Sequence, residues 1–220
     1  MGTRDARGYC HSLSERERLR ERTFLGYGRG SMTKRGKLTV VYGPMFAGKT
    51  TWLVKHTEEL RNAGRQVAVF SPKLDDRYGK DAHIHAHSGL TTKATLVDEQ
   101  HVGAKGNELA KLEAGATAIF DEAMFFATDL VGAIQHLLER GVDVVAAGLN
   151  LDYRKQPFGV MPALIAMADE EIPLTARCYK CGSPAAYTAR LAGGAGQIVV
   201  GAADKYQPAC GVCHSIYEDT

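Results

Sequence analysis

The chain has 220 residues, 45% of them hydrophobic and 24% charged, with a formal net charge of +2, which suits one ordinary domain with or without a small module. Residues 1–36 hold nine Lys or Arg against four Asp or Glu, whereas the remainder holds 18 against 21. This slightly acidic remainder argues against a binder of duplex DNA, whose affinity depends on basic contacts to phosphates.

Residues 1–36 are predicted to be a disordered N-terminal tail. A charged stretch over 14–23 is followed by the glycine-rich segment 26–31, which interrupts regular structure. Met32 precedes the first convincing strand, so translation could start there, and an ordered arm docked on the core is the alternative. Without an apolar signal core or a run of 18 apolar residues, we expect no secretion, no membrane span and a cytoplasmic location.

From residue 37 onwards, apolar runs that predict strands alternate with amphipathic stretches that predict helices. In chain order we expect a strand over 38–43, a helix over 51–64, a strand over 66–72, a helix over 105–115, a strand over 116–122, a helix over 127–141, a strand over 142–149 and a short helix over 161–169. This alternation predicts an α/β domain over 37–176, in which helices flank a mainly parallel sheet. The chemistry is then expected at the carboxyl ends of the strands.

The sequence pattern changes after residue 176, where cysteine pairs, glycines and short β-like runs replace the alternation of strands and helices. We interpret residues 177–220 as a small module that a bound metal ion holds together. Cys178/Cys181 and Cys210/Cys213 form two C-x-x-C pairs separated by 28 residues, a pattern that can close a tetrahedral structural Zn²⁺ site. His214 could replace Cys213 as the fourth ligand, and two redox-active pairs are the other alternative.

A phosphate-binding loop follows the first predicted strand. The segment GPMFAGKT fits G-x-x-x-x-G-K-[ST] between a strand and a helix, which is the context that the motif requires. Its backbone N–H groups would face phosphates, its lysine would neutralise them and its threonine would offer a hydroxyl to Mg²⁺. The residues concerned are Gly43, Pro44, Met45, Phe46, Ala47, Gly48, Lys49 and Thr50.

Two acidic residues, Asp121 and Glu122, end the predicted strand 116–122. One acid at this edge could hold Mg²⁺ through water, and the other could take a proton from an attacking hydroxyl. Because adjacent strand positions face opposite sides, we expect these roles to be divided between the two acids. The alternating His83, His85 and His87 are interpreted as a solvated loop rather than a metal site.

Several separated motifs resemble the thymidine kinases that carry a zinc-anchored lasso, over about residues 37–217. The motifs are GPMFAGKTT (43–51), DDRY (75–78), HSG (87–89), FDEAMFF (120–126), PFG (157–159), AAYTARL (185–191) and GAADKYQPACGVC (201–213). The resemblance implies a P-loop, RecA-like α/β fold with a zinc-stapled lasso. It also implies transfer of the γ-phosphate of ATP to the 5′-hydroxyl of thymidine, with deoxyuridine as a second candidate acceptor, in nucleotide salvage for DNA synthesis.

The resemblance also implies roles at the matching positions. Glu122 corresponds to the catalytic base, Arg77 to an arginine near the transferred phosphate, and Asp75 to an acid that acts with Thr50 near Mg²⁺. Asp121 and Met124 correspond to positions beside the nucleotide. Residues implied at the nucleoside are Met45, Phe125, Leu149, Tyr153, Phe158, Thr188, Val199, Gly201 and Tyr206. A homotetramer inhibited by thymidine triphosphate is implied as well.

Three residues depart from the family pattern. Met124 stands where Gln is usual, Asn150 stands where Asp is usual, and Tyr153 replaces a common Phe. The alternatives to a thymidine kinase are a kinase of broader deoxynucleoside specificity and a zinc-containing P-loop ATPase coupled to nucleic acid. The acidic balance of the folded part disfavours the second alternative.

Overall fold

The computed structural model describes residues 34–73, 83–85, 89–97, 108–192 and 205–214. The predicted N-terminal tail therefore lies almost entirely outside the described residues. Three helices are described: α1 (Lys49–Asn62), α2 (Asp129–Glu139) and α3 (Met161–Met167). The strands are β1 (Leu38–Tyr42), β2 (Val67–Pro72), β3 (His83–His85), β4 (Thr91–Lys93), β5 (Thr95–Val97), β6 (Thr117–Phe120), β7 (Asp143–Gly148), β8 (Glu170–Pro173), β9 (Ala176–Arg177), β10 (Pro184–Ala185), β11 (Tyr187–Arg190) and β12 (Tyr206–Ala209).

The central sheet has six strands in the order β5-β2-β6-β7-β1-β8, and every neighbouring pair is parallel. The predicted parallel α/β fold is therefore confirmed. β7 lies between β1 and β6, with Ala146 level with both Val40 and Phe120. The carboxyl ends of β1 and β6 consequently open at the same edge of the sheet, one strand apart.

The two faces of the sheet bury different side chains because successive strand residues point in opposite directions. Leu38 and Val40 of β1 join a large core with α2 and α3, whereas Val41 joins a smaller core with Leu53 of α1. All four of these side chains are fully buried. The apolar runs predicted these strands because both of their faces are covered.

The predicted helix over 105–115 is wrong where it can be tested. The described part of this segment, residues 108–115, contains a 3₁₀ helix, Glu108–Lys111, and no α-helix. The guanidinium of Arg140, at the end of α2, donates hydrogen bonds to the carbonyl groups of Leu109, Ala110 and Leu112. The segment thus makes specific contacts with a distant element, and tertiary contacts of this kind can override a local helix propensity.

Edge strand β8 has no counterpart in the sequence-based prediction. Its Glu-Glu-Ile-Pro sequence shows neither an apolar run nor alternation, and within the described residues β1 is its one partner strand. The carboxylate of Asp169 accepts a hydrogen bond from the N–H of Leu38 at 2.8 Å, and Lys37 pairs with Glu170 at 2.7 Å. Polar contacts to the start of β1 thus hold this strand in place.

Short antiparallel pairs follow the sheet. β9 pairs with β10, and β11 pairs with β12. The four cysteines of the two C-x-x-C pairs lie at the ends of these strands. Among the described residues, no helix combines the length and the apolar character needed to cross a bilayer.

Candidate active site and metal centre

The phosphate-loop segment turns sharply between β1 and α1. Gly43 has φ 153° and Gly48 has φ 85°, and a Cβ on Gly43 would lie 2.2 Å from the carbonyl oxygen of Leu174. Glycine is therefore required at position 43 by both backbone geometry and space. The Lys49 ammonium lies inside the turn and donates to the carbonyls of Gly43 at 3.1 Å and Pro44 at 2.8 Å.

The two acids leave the sheet immediately after β6. β6 ends at Phe120, so Asp121 and Glu122 lie beyond the strand rather than within it. Asp121 is buried, whereas Glu122 is partly buried and adopts a left-handed conformation with φ 50°. The expected alternation of adjacent strand residues does not apply here, because a left-handed residue breaks the extended geometry. The two acids nevertheless have different environments.

Lys49, Asp121 and Glu122 influence one another electrostatically. Burial lowers the pKa of Lys49, and the charges of Glu122 and Asp121 oppose that change. Burial, with a contribution from Glu122, raises the pKa of Asp121 to about 8. Burial also raises the pKa of Glu122, against the effect of the Lys49 charge. The lysine of the phosphate loop and both acids therefore share one poorly hydrated region at the carboxyl edge of the sheet.

The cysteine cluster brings together all four predicted zinc ligands. The Sγ atoms of Cys178, Cys181, Cys210 and Cys213 lie within 4.8 Å of one another, and those of Cys181 and Cys210 are 3.7 Å apart. Tetrahedral Zn–S bonds of about 2.3 Å place sulfur atoms about 3.8 Å apart, so this cluster fits zinc.

The thiols of the cluster differ in their pKa values because their surroundings differ. Hydrogen bonds from backbone N–H groups, first that of Cys210, lower the pKa of Cys178 to about 6. The crowded neighbouring thiols Cys181 and Cys210 raise the pKa of Cys213 to about 12. A thiolate that forms at one position thus disfavours a thiolate at the next, and a bound divalent cation would remove this repulsion.

His214 does not join the cysteine cluster. Its Nε2 atom lies 3.0 Å from the carbonyl oxygen of Tyr153 and 3.3 Å from that of Thr188. Burial, and then the charge of Lys155, lower the pKa of His214. Of the two candidates for the fourth ligand, the geometry favours Cys213.

Besides the bond from His214 to the carbonyl of Tyr153, further contacts connect the cysteine-containing part of the chain to the rest of the structure. The Thr188 hydroxyl accepts a hydrogen bond from the N–H of Met45, in the phosphate loop, at 3.0 Å. The guanidinium of Arg190 stacks 3.7 Å from the ring centroid of Tyr153 and donates to the hydroxyl of Tyr206 at 2.9 Å. Four predicted nucleoside-binding residues therefore form two pairs. Met45 contacts Thr188 directly, and Tyr153 and Tyr206 are joined through Arg190.

Arg190 had no assigned role in the sequence-based prediction, although it lies in the quoted segment 185–191. Its side chain is only 2% exposed, which is unusual for an arginine. The only signal in the sequence was a charged residue in a short strand otherwise lacking charge. The partners of Arg190 lie far away in the chain, so that signal could not identify them.

The remaining predicted wall residues pack around the turn that follows Glu122. The rings of Phe125 and Phe158 meet edge to face at 5.6 Å, and the N–H of Leu149 points at the Sδ atom of Met124 at 3.4 Å. The Met124 side chain is buried in the larger core. The predicted site residues Asp75, Arg77, Val199 and Gly201 lie outside the described residues, as does His87.

A parallel sheet, a phosphate loop with its lysine, and an acid pair at the same edge define a P-loop α/β protein with an attached four-cysteine site. The family model described as thymidine kinase matches residues 36–214. Relatives named thymidine kinase include proteins from three organisms. The Deinococcus radiodurans protein is 41% identical over 78% of this chain and 86% of its own length. The chain belongs to the thymidine kinase family.

Two further relatives of the same name extend this comparison. The protein from Thermococcus kodakarensis is 37% identical over 84% of this chain and 96% of its own length. The protein from Porphyromonas gingivalis is 36% identical over 82% of this chain and 86% of its own length. A solved structure, the Pif1 helicase of Candida albicans, overlaps loosely, with a TM-score of 0.37, 16% identity, and coverage of 74% of this chain and 40% of that chain.

Proposed function

We propose that this protein is an ATP-dependent thymidine kinase, which transfers the γ-phosphate of ATP to the 5′-hydroxyl of thymidine, with deoxyuridine as a second acceptor. The observation that carries the proposal is that β1 and β6, which both pair in parallel with β7, end at the same edge of the sheet, where the loop with Lys49 follows β1 and the acids Asp121 and Glu122 follow β6. Phosphoryl transfer requires a cradle for phosphates and a group that activates the attacking hydroxyl. Membership of the thymidine kinase family supports thymidine as the acceptor.

In this mechanism the phosphate loop 43–50 holds the triphosphate. Its backbone N–H groups and the start of α1 provide a positive potential, and Lys49 exchanges its loop carbonyls for phosphate oxygens. Thr50, Asp121 and Asp75 would hold the Mg²⁺ that binds with ATP, and this ion would supply positive charge against the charge that develops on the phosphates. Arg77 would lie by the transferred phosphate.

Glu122 takes the proton of the 5′-hydroxyl as oxygen attacks the γ-phosphorus and the bond to the leaving ADP oxygen breaks. A carboxylate with a raised pKa is a stronger base than a solvated one, which suits this task. Asp121 lies deeper and remains beside Lys49. Positioning and charge stabilisation supply most of the rate, because the protein needs no covalent intermediate.

The nucleoside is proposed to lie between the sheet domain and the lasso. Its walls would be formed by Phe125, Leu149, Tyr153 and Phe158. The site would be completed by Met45, Thr188, Val199, Gly201 and Tyr206. The proposed zinc is structural, because four cysteine ligands leave no open position. Met124 is also proposed near the nucleotide, and its buried side chain suggests that it acts by packing.

The family resemblance also suggests properties of the whole protein. We propose a sheet domain over 37–176, a zinc-binding lasso over 177–220, a cytoplasmic homotetramer and feedback inhibition by thymidine triphosphate. These proposals are separate from the chemistry at Glu122.

A nucleoside screen tests the proposed activity. The protein is incubated with ATP and Mg²⁺ plus deoxyuridine or each of the four common deoxynucleosides, and monophosphates are measured by chromatography. We expect thymidine monophosphate and some deoxyuridine monophosphate, with little product from deoxycytidine, deoxyadenosine or deoxyguanosine. Efficient use of all five nucleosides would indicate a broader kinase, and ATP hydrolysis stimulated only by single-stranded DNA would contradict the proposal.

A further inference from the structure

His214 occupies an unusual place beside the cysteine cluster. It follows Cys213 directly, and its N–H donates to the carbonyl of Cys210 at 3.0 Å, which holds it in the turn of the second C-x-x-C pair. Its ring packs edgewise on Tyr187 with centroids 5.8 Å apart. The cysteine turn therefore sets where the imidazole lies.

The Nε2 atom of His214 faces carbonyl oxygens from two distant segments. One belongs to Tyr153, after β7, at 3.0 Å, and the other belongs to Thr188, in β11, at 3.3 Å. Carbonyl oxygens only accept hydrogen bonds, so Nε2 must carry the hydrogen and donate to both. The side chain of His214 thus joins two segments that lie far apart in the sequence.

Both segments lead into the proposed substrate site. The Tyr153 ring is buried against Arg190, and the Thr188 hydroxyl accepts from the N–H of Met45 in the phosphate loop. A displacement of either carbonyl would move a proposed wall of the nucleoside pocket. Through Thr188, which contacts Met45, the imidazole is also linked to the phosphate loop.

We propose that His214 is a positioning residue, which transmits the fixed geometry of the cysteine site to the nucleoside pocket through its Nε2–H. This inference rests on the proposed thymidine kinase activity. It separates His214 from the metal ligands, because its Nε2 atom is engaged by protein carbonyls. Loss of the imidazole should then weaken nucleoside binding while the four cysteines keep their metal.

Steady-state kinetics of the full chain test this role with His214→Phe and His214→Gln. Phenylalanine keeps a ring against Tyr187 but lacks the donor, whereas glutamine can place an N–H near the Nε2 position. We expect His214→Phe to raise the KM for thymidine about 10-fold, equivalent to about 1.4 kcal/mol, with smaller changes in kcat and in the KM for ATP. His214→Gln should recover most of the lost affinity.

Zinc content and a matched control complete the experiment. Metal analysis should find equal zinc in the wild type and in both variants, and His136→Phe, at an exposed position of α2, should leave all kinetic constants unchanged. If His214→Phe does not fold, the pair His214→Asn and His214→Gln replaces it. The shorter asparagine should give the higher KM for thymidine.

Three results would overturn the inference. An unchanged KM for thymidine in His214→Phe, equal KM values for the variants with and without the donor, or loss of zinc from His214→Gln would each contradict a positioning role. A wild-type protein that phosphorylates no thymidine would instead refute the proposed function and remove the basis of this inference. The wild-type assay therefore distinguishes the two failures.

Discussion

Three residues other than glycine have a left-handed backbone in the described part of the chain, and all three lie around the candidate site. They are Phe46 in the phosphate loop, Glu122 after β6 and Lys155 in the loop that carries Tyr153. Such conformations cost about 1–3 kcal/mol each and persist only when the surrounding structure enforces them. At Glu122, two residues beyond the end of β6, this conformation turns the chain and gives this acid a different environment from that of Asp121.

The proposed role of Glu122 predicts a specific kinetic defect in Glu122→Gln. Glutamine has nearly the same shape but cannot accept the proton, so we expect kcat to fall about 10²–10⁴-fold while both substrates still bind. Turnover and calorimetric titration with thymidine would measure the two properties separately. Glu139→Gln, at an exposed position of α2, is the control, and near-normal turnover in Glu122→Gln would refute the assignment.

Among the secondary-structure elements, the loop between β7 and α3 packs against the 3₁₀ helix Ala123–Phe125. A Cβ on Gly159 would lie 2.0 Å from the carbonyl oxygen of Met124, and the Sδ atom of Met124 faces the N–H of Leu149. A buried thioether can accept this weak hydrogen bond and also fill apolar space. Methionine at position 124 therefore serves packing between the two segments.

This close approach predicts that Gly159→Ala is more damaging than an ordinary glycine substitution. Gly64 also has a positive φ, but a Cβ there would have nothing within 4 Å, so Gly64→Ala isolates the backbone strain of about 1–2 kcal/mol. Gly159→Ala adds a collision with backbone and should cost clearly more. Urea denaturation measures both free energies of unfolding, and equal losses would show that the loop can move away from Met124.

For the whole molecule, the cysteine cluster joins two parts of the chain that are far apart in sequence. Cys178 and Cys181 lie between β9 and β10, whereas Cys210 and Cys213 follow β12. Zinc would close this cluster without contacting the phosphate loop. The metal is therefore expected to support the nucleoside side of the proposed site more than the ATP side.

Removal of zinc by a strong chelator should consequently abolish thymidine phosphorylation while the sheet domain retains nucleotide binding. Loss of zinc leaves the crowded thiols without the cation that fixes them, so the two C-x-x-C turns should separate. Metal analysis, nucleotide titration and circular dichroism would follow the change, and added Zn²⁺, but not extra Mg²⁺, should restore activity. Full activity in zinc-free protein would contradict this expectation.

The sequence alone determined the parts of the protein that depend on short spacings. The pattern of residues 43–50 predicted the phosphate-loop turn, the buried apolar runs predicted the parallel strands, and the two C-x-x-C pairs predicted the cysteine cluster. These features are local, since each needs a few neighbouring residues with fixed backbone preferences. The acid pair after β6 was predictable for the same reason, although the end of the strand at Phe120 was not.

Only the tertiary structure decided the features that depend on partners distant in the chain. Arg140 donates to carbonyls of the segment for which a helix was predicted, β8 forms with polar contacts to the start of β1, and Arg190 stacks on Tyr153. His214 likewise bonds two carbonyls that no spacing in the sequence brings together. Each outcome is a competition between a weak local preference and specific long-range contacts, and the folded chain supplies those contacts.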